Sequence, residues 1–312
     1  MDRLVARTAG PAMECEPDVT GEGYAAGSVR HTIRRIADWL AFVRISTCAG
    51  MVLQALLGAF LGGAGNTSAW LRAGLASVSM GAVMAAANSF NDIVDLETDR
   101  IDKMCRPLPA ARISHRSAVA FLALLVVLAL GSAIPIGGAL AGATGVLLIL
   151  ALGYSVVFKG KVPVGNSVAV AVVSAAAIPY GAVAAVGGLP PLPCLLAWVA
   201  SMLFVFAYDN LKTAMDIRGD ASAGLRTIAT VRGLAVSVSL SKCAMAGVIA
   251  VMTAGAVIAS SAIYLPVVAV VIVLPLIALA SRLGPDLGSI RAVARGMWLL
   301  WFPALAALCL LR

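Results

Sequence analysis

The sequence predicts an all-α, polytopic membrane protein of about nine transmembrane helices, and three observations carry that reading. Hydrophobic residues make up 61% of the 312-residue chain and charged residues only 12%, with a mean hydropathy of +0.97, a balance outside the range of soluble domains. The apolar residues gather into runs close to the ~20 residues that a helix needs to cross the hydrocarbon core while satisfying its own backbone. Lys and Arg then return in every second gap between those runs.

The first 29 residues contain Pro11, Glu14, Glu16, Pro17, Asp18 and Glu22. They lack the basic-then-apolar plan of a signal peptide and read as a mobile cytoplasmic tail, which leaves residues 30–312 as one membrane domain. Arg30, Arg34 and Arg35 precede the first helix, 38–62, which stops at Gly62-Gly63; the Ala-rich second, 69–93, starts after Asn66 and runs into a cluster of acids. The next two, 116–135 and 138–158, are nearly continuous Leu, Val and Ala parted by Gly137-Gly138, and Lys159 closes the second of them. Helix 164–187 lies between Pro163 and Gly187-Gly188, and 194–215 follows Pro190, Pro191 and Pro193. The last three spans are 233–257, opening at Gly233, then 262–281 and 291–311. Pro179, Pro266 and Pro275 fall inside spans, which membrane helices tolerate because neighbouring helices satisfy the freed backbone groups.

The basic residues set the orientation. They occupy the N-terminal flank and the gaps after helices two, four, six and eight, whereas the gaps around 63–68, 134–138, 187–194 and 257–262 have none. By the positive-inside rule the N-terminus is cytoplasmic and, after nine crossings, the C-terminus lies on the opposite side of what we read as the plasma membrane. The formal net charge of +8 is then an adaptation to the lipid bilayer, and no nucleic-acid partner is needed to explain it. His31 and His115 read as solvated, and the six cysteines show no zinc-type spacing.

Against this background the stretch NDIVDLETDRIDKMCRPLP, residues 91–109, holds five of the fifteen carboxylates. Asn91, Asp95 and Asp99 are spaced by four and share one helical face, where like charges repel unless a cation sits against them. A hard divalent ion such as Mg2+ suits such oxygen donors. Asp92, Glu97 and Asp102 point elsewhere and read as surface residues paired with Arg100, Lys103 or Arg106. A second cluster, FAYDNLKTAMDIRGD, places Asp209, Lys212 and Asp216 on one face and repeats the spacing of four at Asp220. Asp209 and Lys212 lie at membrane depth, where an ionisable residue implies a function. Two acidic stripes at one end of a bundle, with Lys159, Arg106 and the intrahelical Arg44 available for phosphate oxygens, describe a diphosphate site.

These motifs resemble the UbiA superfamily of intramembrane prenyltransferases. The first matches its Asn and two Asp spaced by four before Arg-Pro-Leu-Pro. DNLKTAMDIRGDASAGLRT is similar to the second signature, and YSVVFKGKVPVGN to the Tyr, Lys and Gly-Asn pattern between helices four and five. The resemblance covers roughly residues 38–311 and implies a bundle around a central cavity that transfers an isoprenyl group from its diphosphate with Mg2+. It implies Asn91, Asp95, Asp99, Asp216 and Asp220 as ligands of Mg2+ and diphosphate, Lys159, Lys212 and Arg106 on phosphate oxygens, and Tyr154 and Asn166 along the pocket. Thr213 stands where many members have a further Asp, and Ala110-Ala111 where Ser-Gly is usual.

Charge placement supplies the expected chemistry: cations stabilise the departing diphosphate, an allylic cation forms, and an apolar wall keeps water from it. Phe90, Phe158, Tyr180, Phe204, Phe206 and Tyr208 are the aromatic faces available to it. Asp92 and Asp209 both qualify as general base. An aromatic acceptor is the first expectation and a lipid-precursor alcohol the second. A terpene cyclase on the same scaffold and a membrane transporter are the rival functions.

Overall fold

The computed structural model describes residues 24–102, 105–259 and 261–312. Most of the tail expected over residues 1–29 falls outside that range. Residues 24–29 are already helical, since α1 spans Tyr24–Phe42.

Every regular element among the described residues is helical. After α1 come α2 (Ile45–Gly62), α3 (Thr67–Val94), the short α4 (Leu96–Asp102), α5 (His115–Ala133) and α6 (Gly138–Gly153). A π-helical turn, Tyr154–Phe158, extends α6; α7 (Gly165–Ala175) and α8 (Ala177–Val186) form one span, and α9 is Leu192–Met215. Then follow α10 (Ile217–Ser222), α11 (Ile228–Arg232), α12 (Leu234–Ala254), α13 (Tyr264–Val268), α14 (Leu274–Arg282) and α15 (Leu287–Leu308). Nine helical spans among the described residues are long and apolar enough to cross a membrane, from Ile45–Gly62 to Leu287–Leu311.

One predicted helix is two. The run expected over 38–62 breaks at Arg44, which adopts φ 53, ψ 62 between α1 and α2. A non-glycine residue in this left-handed region costs about 1–2 kcal/mol, so the surroundings must hold it. Asn88 donates to the Val43 carbonyl and to Thr47 Oγ1, both at 2.9 Å, and clamps the break from α3.

Packing follows the small residues. In lipid no hydrophobic force draws helices together, so close backbone approach and interhelical hydrogen bonds must do it. At the α2–α8 interface a Cβ on Gly58 would stand 1.8 Å from the Ile178 carbonyl oxygen, and one on Gly181 would stand 1.9 Å from that of Ala55. Gln54 of α2 accepts from Ser201 of α9 at 2.7 Å, and Asn210 of α9 reaches Ser241 of α12 at 2.8 Å. Two large buried clusters and a small one of alanines from α2, α3 and α8 result. One of the large two joins α2, α3, α5, α6 and α8; the other centres on α9, α12, α14 and α15. Both acid motifs lie at one end of this bundle, where α3 and α9 stop.

Candidate active site

α3 ends at Val94 and Asp95 takes φ −85, ψ 2, so the first motif bends where a straight helix was expected. The Asp95 amide still donates to the Asn91 carbonyl at 2.9 Å and the Asp99 amide to that of Asp95 at 2.8 Å. The stripe of three therefore survives, wrapped around the turn into α4.

Asp92 corrects the surface expectation: it is 3% exposed. Its Oδ1 accepts from Arg44 at 2.5 Å and from Arg106 at 3.0 Å. The cause is the break at Arg44, which aims a guanidinium from α2 into α3, where it also donates to Asn88 at 3.3 Å. Arg106 is shared with buried Asp99 at 3.3 Å and held by a tight turn. In that turn the Arg112 amide donates to the Pro107 carbonyl at 2.9 Å, and Ala111 sits at φ 57. Glu97 meets Arg100 at 2.9 Å on the exposed surface, as expected. The side chains of Asp102, Lys103 and Phe158 lie outside the described residues.

Lys159 ends the π-helical turn, a local widening that often re-aims a side chain at a functional site, and its ammonium donates to Asp95. Asn91 reaches Ser155 of the same turn at 3.5 Å. The predicted pocket residue Asn166 is buried and accepts from the Gly160 amide at 3.2 Å. Gly160 needs to be glycine: it sits at φ +68, and a Cβ there would stand 2.4 Å from Leu225. Its carbonyl accepts from the Arg226 amide at 2.8 Å, which ties this turn to the loop after the second motif.

In that second motif Asp216 caps α9, and the Asp220 amide donates to its carbonyl at 2.9 Å. Asp209 is only partly accessible, and its Oδ2 is buried with no hydrogen-bond partner among the described residues. Lys212 keeps accessible surface. It lies within electrostatic reach of Arg44, Asp209, Arg106 and Asp216, and the Tyr154 hydroxyl within reach of Asp209, Asp95, Asp220 and Arg44. The fold thus places the predicted site residues at one end of the bundle, from the α1–α2 break, α3, α4, the turn before α5, the turn after α6, α7, α9 and α10.

Oxygen-only donors and the unpartnered Asp209 Oδ2 fit a hard divalent cation in chemistry. Among the described residues, however, no three carboxylates stand close enough to share one ion; Asp95 and Asp99 are engaged by Lys159 and Arg106. Of the aromatic candidates, Tyr180 is tied to Thr144 at 2.8 Å in a buried network and Phe204 stacks on Trp301 at 4.9 Å. Both read as packing.

A cavity of about 610 Å³ opens beside the motifs between α2, α9 and α15, lined by Arg44, Thr47, Tyr208, Asp216, Arg291, Arg295 and Trp298 among others. Arg291, Arg295 and Trp298 are absent from the sequence-based site, where the two arginines counted only as basic anchors. Their signal was spacing: 291, 295 and 298 fall on one helical face.

The profile of the UbiA prenyltransferase family matches residues 51–302. The chain is 30% identical over 209 residues to the digeranylgeranylglyceryl phosphate synthase of Haloquadratum walsbyi, covering 66% of this chain and 70% of that protein. It is 32% identical over 209 residues to the enzyme of the same name from Ignicoccus hospitalis, covering 64% and 65%. Among solved structures, a UbiA homologue from Aeropyrum pernix superposes with a TM-score of 0.68 at 25% identity over 84% of this chain and 96% of that one. A UbiA homologue from Archaeoglobus fulgidus, bound to GPP and Mg2+, gives 0.64 at 18% identity over 86% and 99%, a likeness of fold. With most of its membrane domain matched by the family profile, this chain is an integral membrane enzyme that belongs to the UbiA prenyltransferase family.

Proposed function

We propose that this chain transfers an isoprenyl group from its diphosphate to the hydroxyl of a lipid-precursor alcohol, with Mg2+ as cofactor. One observation carries the reading: two acid motifs from different helices and the cations Arg44, Arg106, Lys159 and Lys212 converge on one end of the bundle. The alcohol takes precedence over the aromatic acceptor because relatives 30–32% identical are named digeranylgeranylglyceryl phosphate synthases.

In this reading Asn91, Asp95, Asp99, Asp216 and Asp220 hold Mg2+, which when bound offsets the negative charge growing on the departing diphosphate. Lys159 leaves Asp95 for a phosphate oxygen, and Arg106, Lys212 and Arg44 take further oxygens. Asn166 holds the turn that carries Lys159, and Tyr154 packs beside the allylic end. Asp209 is the base for the acceptor hydroxyl: its Oδ2 has no hydrogen-bond partner among the described residues, whereas Asp92 has both its arginines. The apolar helices keep water from the allylic cation. The acid-bearing end faces the cytoplasm, with the C-terminus across the plasma membrane, as the alternating basic loops require.

The test is purified protein in lipid with Mg2+ and isoprenyl diphosphates of several lengths, following diphosphate release and organic products. Acceptor-dependent release is expected. Release without acceptor, with a cyclic product, assigns the site to a cyclase, and no Mg2+-dependent release with any chain length rejects the reading.

A further inference from the structure

Arg291 and Arg295 stand outside the residues assigned to Mg2+, the diphosphate and the general base. They lie one turn apart on α15 and, with Ala294 and Trp298, form the α15 wall of the 610 Å³ cavity whose other walls carry Arg44 and Asp216. Arg44 is already bonded to Asp92, but neither Arg291 nor Arg295 makes a side-chain hydrogen bond or ion pair with any described residue. Their own segment offers little: Asp286 is the sole acid of residues 283–312, and it caps α15 by accepting from the Ser289 amide at 2.8 Å. Those hydrogen bonds hold its carboxyl below the usual carboxylate range.

An arginine that merely anchors a helix turns to the headgroups outside. These two occupy the strip between the packed face of Ile290, Val293 and Met297 and the outward Leu299, which is 74% exposed. Both arginine side chains are exposed, so that strip is open to a ligand from outside the bundle. Deeper along the same helix Trp298 stands 6.0 Å from both Tyr208 and Phe302, giving an apolar, aromatic continuation behind the charged entrance. The cavity therefore suits a molecule with an anionic head and an apolar body.

We propose that Arg291 and Arg295 form a second anion subsite, on the α15 wall of the cavity that Arg44 and Asp216 also line, that takes the phosphate monoester head of the acceptor while Trp298 and Tyr208 carry its apolar chain. Phosphate fits better than carboxylate. Two guanidiniums a turn apart offer more N–H donors than the two oxygens of a carboxylate accept, but they match the three terminal oxygens and near-double charge of a phosphate monoester. The inference rests on the prenyl-transfer reading for its place in the reaction; the subsite itself does not.

The experiment therefore has a binding arm that needs neither Mg2+ nor isoprenyl diphosphate. Affinity is measured on the full chain in detergent for a monoalkylglycerol phosphate, the same monoalkylglycerol without phosphate, a hydroxybenzoate and inorganic phosphate. The wild type is expected to bind the phosphate-bearing alcohol at least about tenfold tighter than its dephosphorylated form. Arg291→Gln and Arg295→Gln should each weaken it about tenfold, as loss of a charge-assisted hydrogen bond implies, with Arg295→Lys retaining part of the affinity. Arg282→Gln, outside the cavity lining, should bind as the wild type does. In turnover the same variants should raise the acceptor KM and leave the isoprenyl diphosphate KM unchanged, which also shows that they fold. Equal binding of the two alcohols, tighter binding of hydroxybenzoate, or a rise in the isoprenyl diphosphate KM that matches or exceeds the acceptor's each overturns the subsite. Absent turnover with intact phosphate-dependent binding would reject the prenyl-transfer reading and keep the subsite.

Discussion

The two acid motifs close membrane helices at the same end of the bundle, yet they settle their charges differently. After α3, Asp92, Asp95 and Asp99 are each bonded to a cation brought from elsewhere in the chain: Arg44 from the α2 break, Lys159 from the π-helical turn, Arg106 from the proline-rich turn. Towards the end of α9, Asp209 has a buried oxygen with no hydrogen-bond partner among the described residues, and neither Asp216 nor Lys212 forms a direct ion pair with a described residue. The first region is neutralised by the fold itself. The second holds Lys212 within electrostatic reach of Asp209 and Asp216 without a direct pair, and cations and carboxylates held in place before substrate arrives are what electrostatic catalysis of an ionisation requires.

Removing a carboxylate from either region is the strongest way to break that contrast. Asp95→Ala and Asp216→Ala are both expected to lower Mg2+-dependent diphosphate release by about a thousandfold or more, with both proteins still monodisperse in detergent. Wild-type release by Asp216→Ala would remove the second region from the site.

Stability should separate the regions next. Arg44→Met leaves Asp92 buried with only Arg106, a loss of about 2 kcal/mol, that of one hydrogen bond to a charged group. Adding Asp92→Asn should recover much of it in thermal unfolding. Lys212→Met has no ion pair to lose, so its unfolding temperature should stay level or rise while the isoprenyl diphosphate KM increases. Equal destabilisation by the two changes would mean that both regions are neutralised alike.

A smaller effect tests the link between the regions. Gly160→Ala forces a left-handed φ and pushes on Leu225, costing about 1 kcal/mol for the backbone alone. It should lower the unfolding temperature by a few degrees and raise the isoprenyl diphosphate KM several-fold. Glu97→Gln, which removes an exposed pair with Arg100, should alter neither rate nor unfolding temperature; a loss of rate there would place α4's outer face in the site.

Much of this was readable from residues in order. Asn91, Asp95 and Asp99 at spacing four, the membrane-depth Asp209 and Lys212, and the basic residue closing the fourth span are local patterns, and local patterns survive folding. Asp92 was misread because its surface placement assumed a straight α3 and an unbroken first span. Neither survives: Arg44 turns into the left-handed region and brings its guanidinium to a carboxylate 48 residues away. Arg291 and Arg295 were passed over for a related reason, since an inward-facing arginine and an outward membrane anchor look alike until helix rotation is known.

Hydrophobic run length and residue type act within one helix, and they were enough for the class of protein, the number of crossings and the chemistry of the donors. Which charges meet depends on how the helices are turned and set against one another. Within lipid every helix satisfies its own backbone, so relative rotation and depth are set by small-residue contacts such as Gly58 against Ile178 and Gly181 against Ala55. From those contacts follow the pairing of Arg44 with Asp92, the unpartnered oxygen of Asp209 and the arginine-lined cavity beside them.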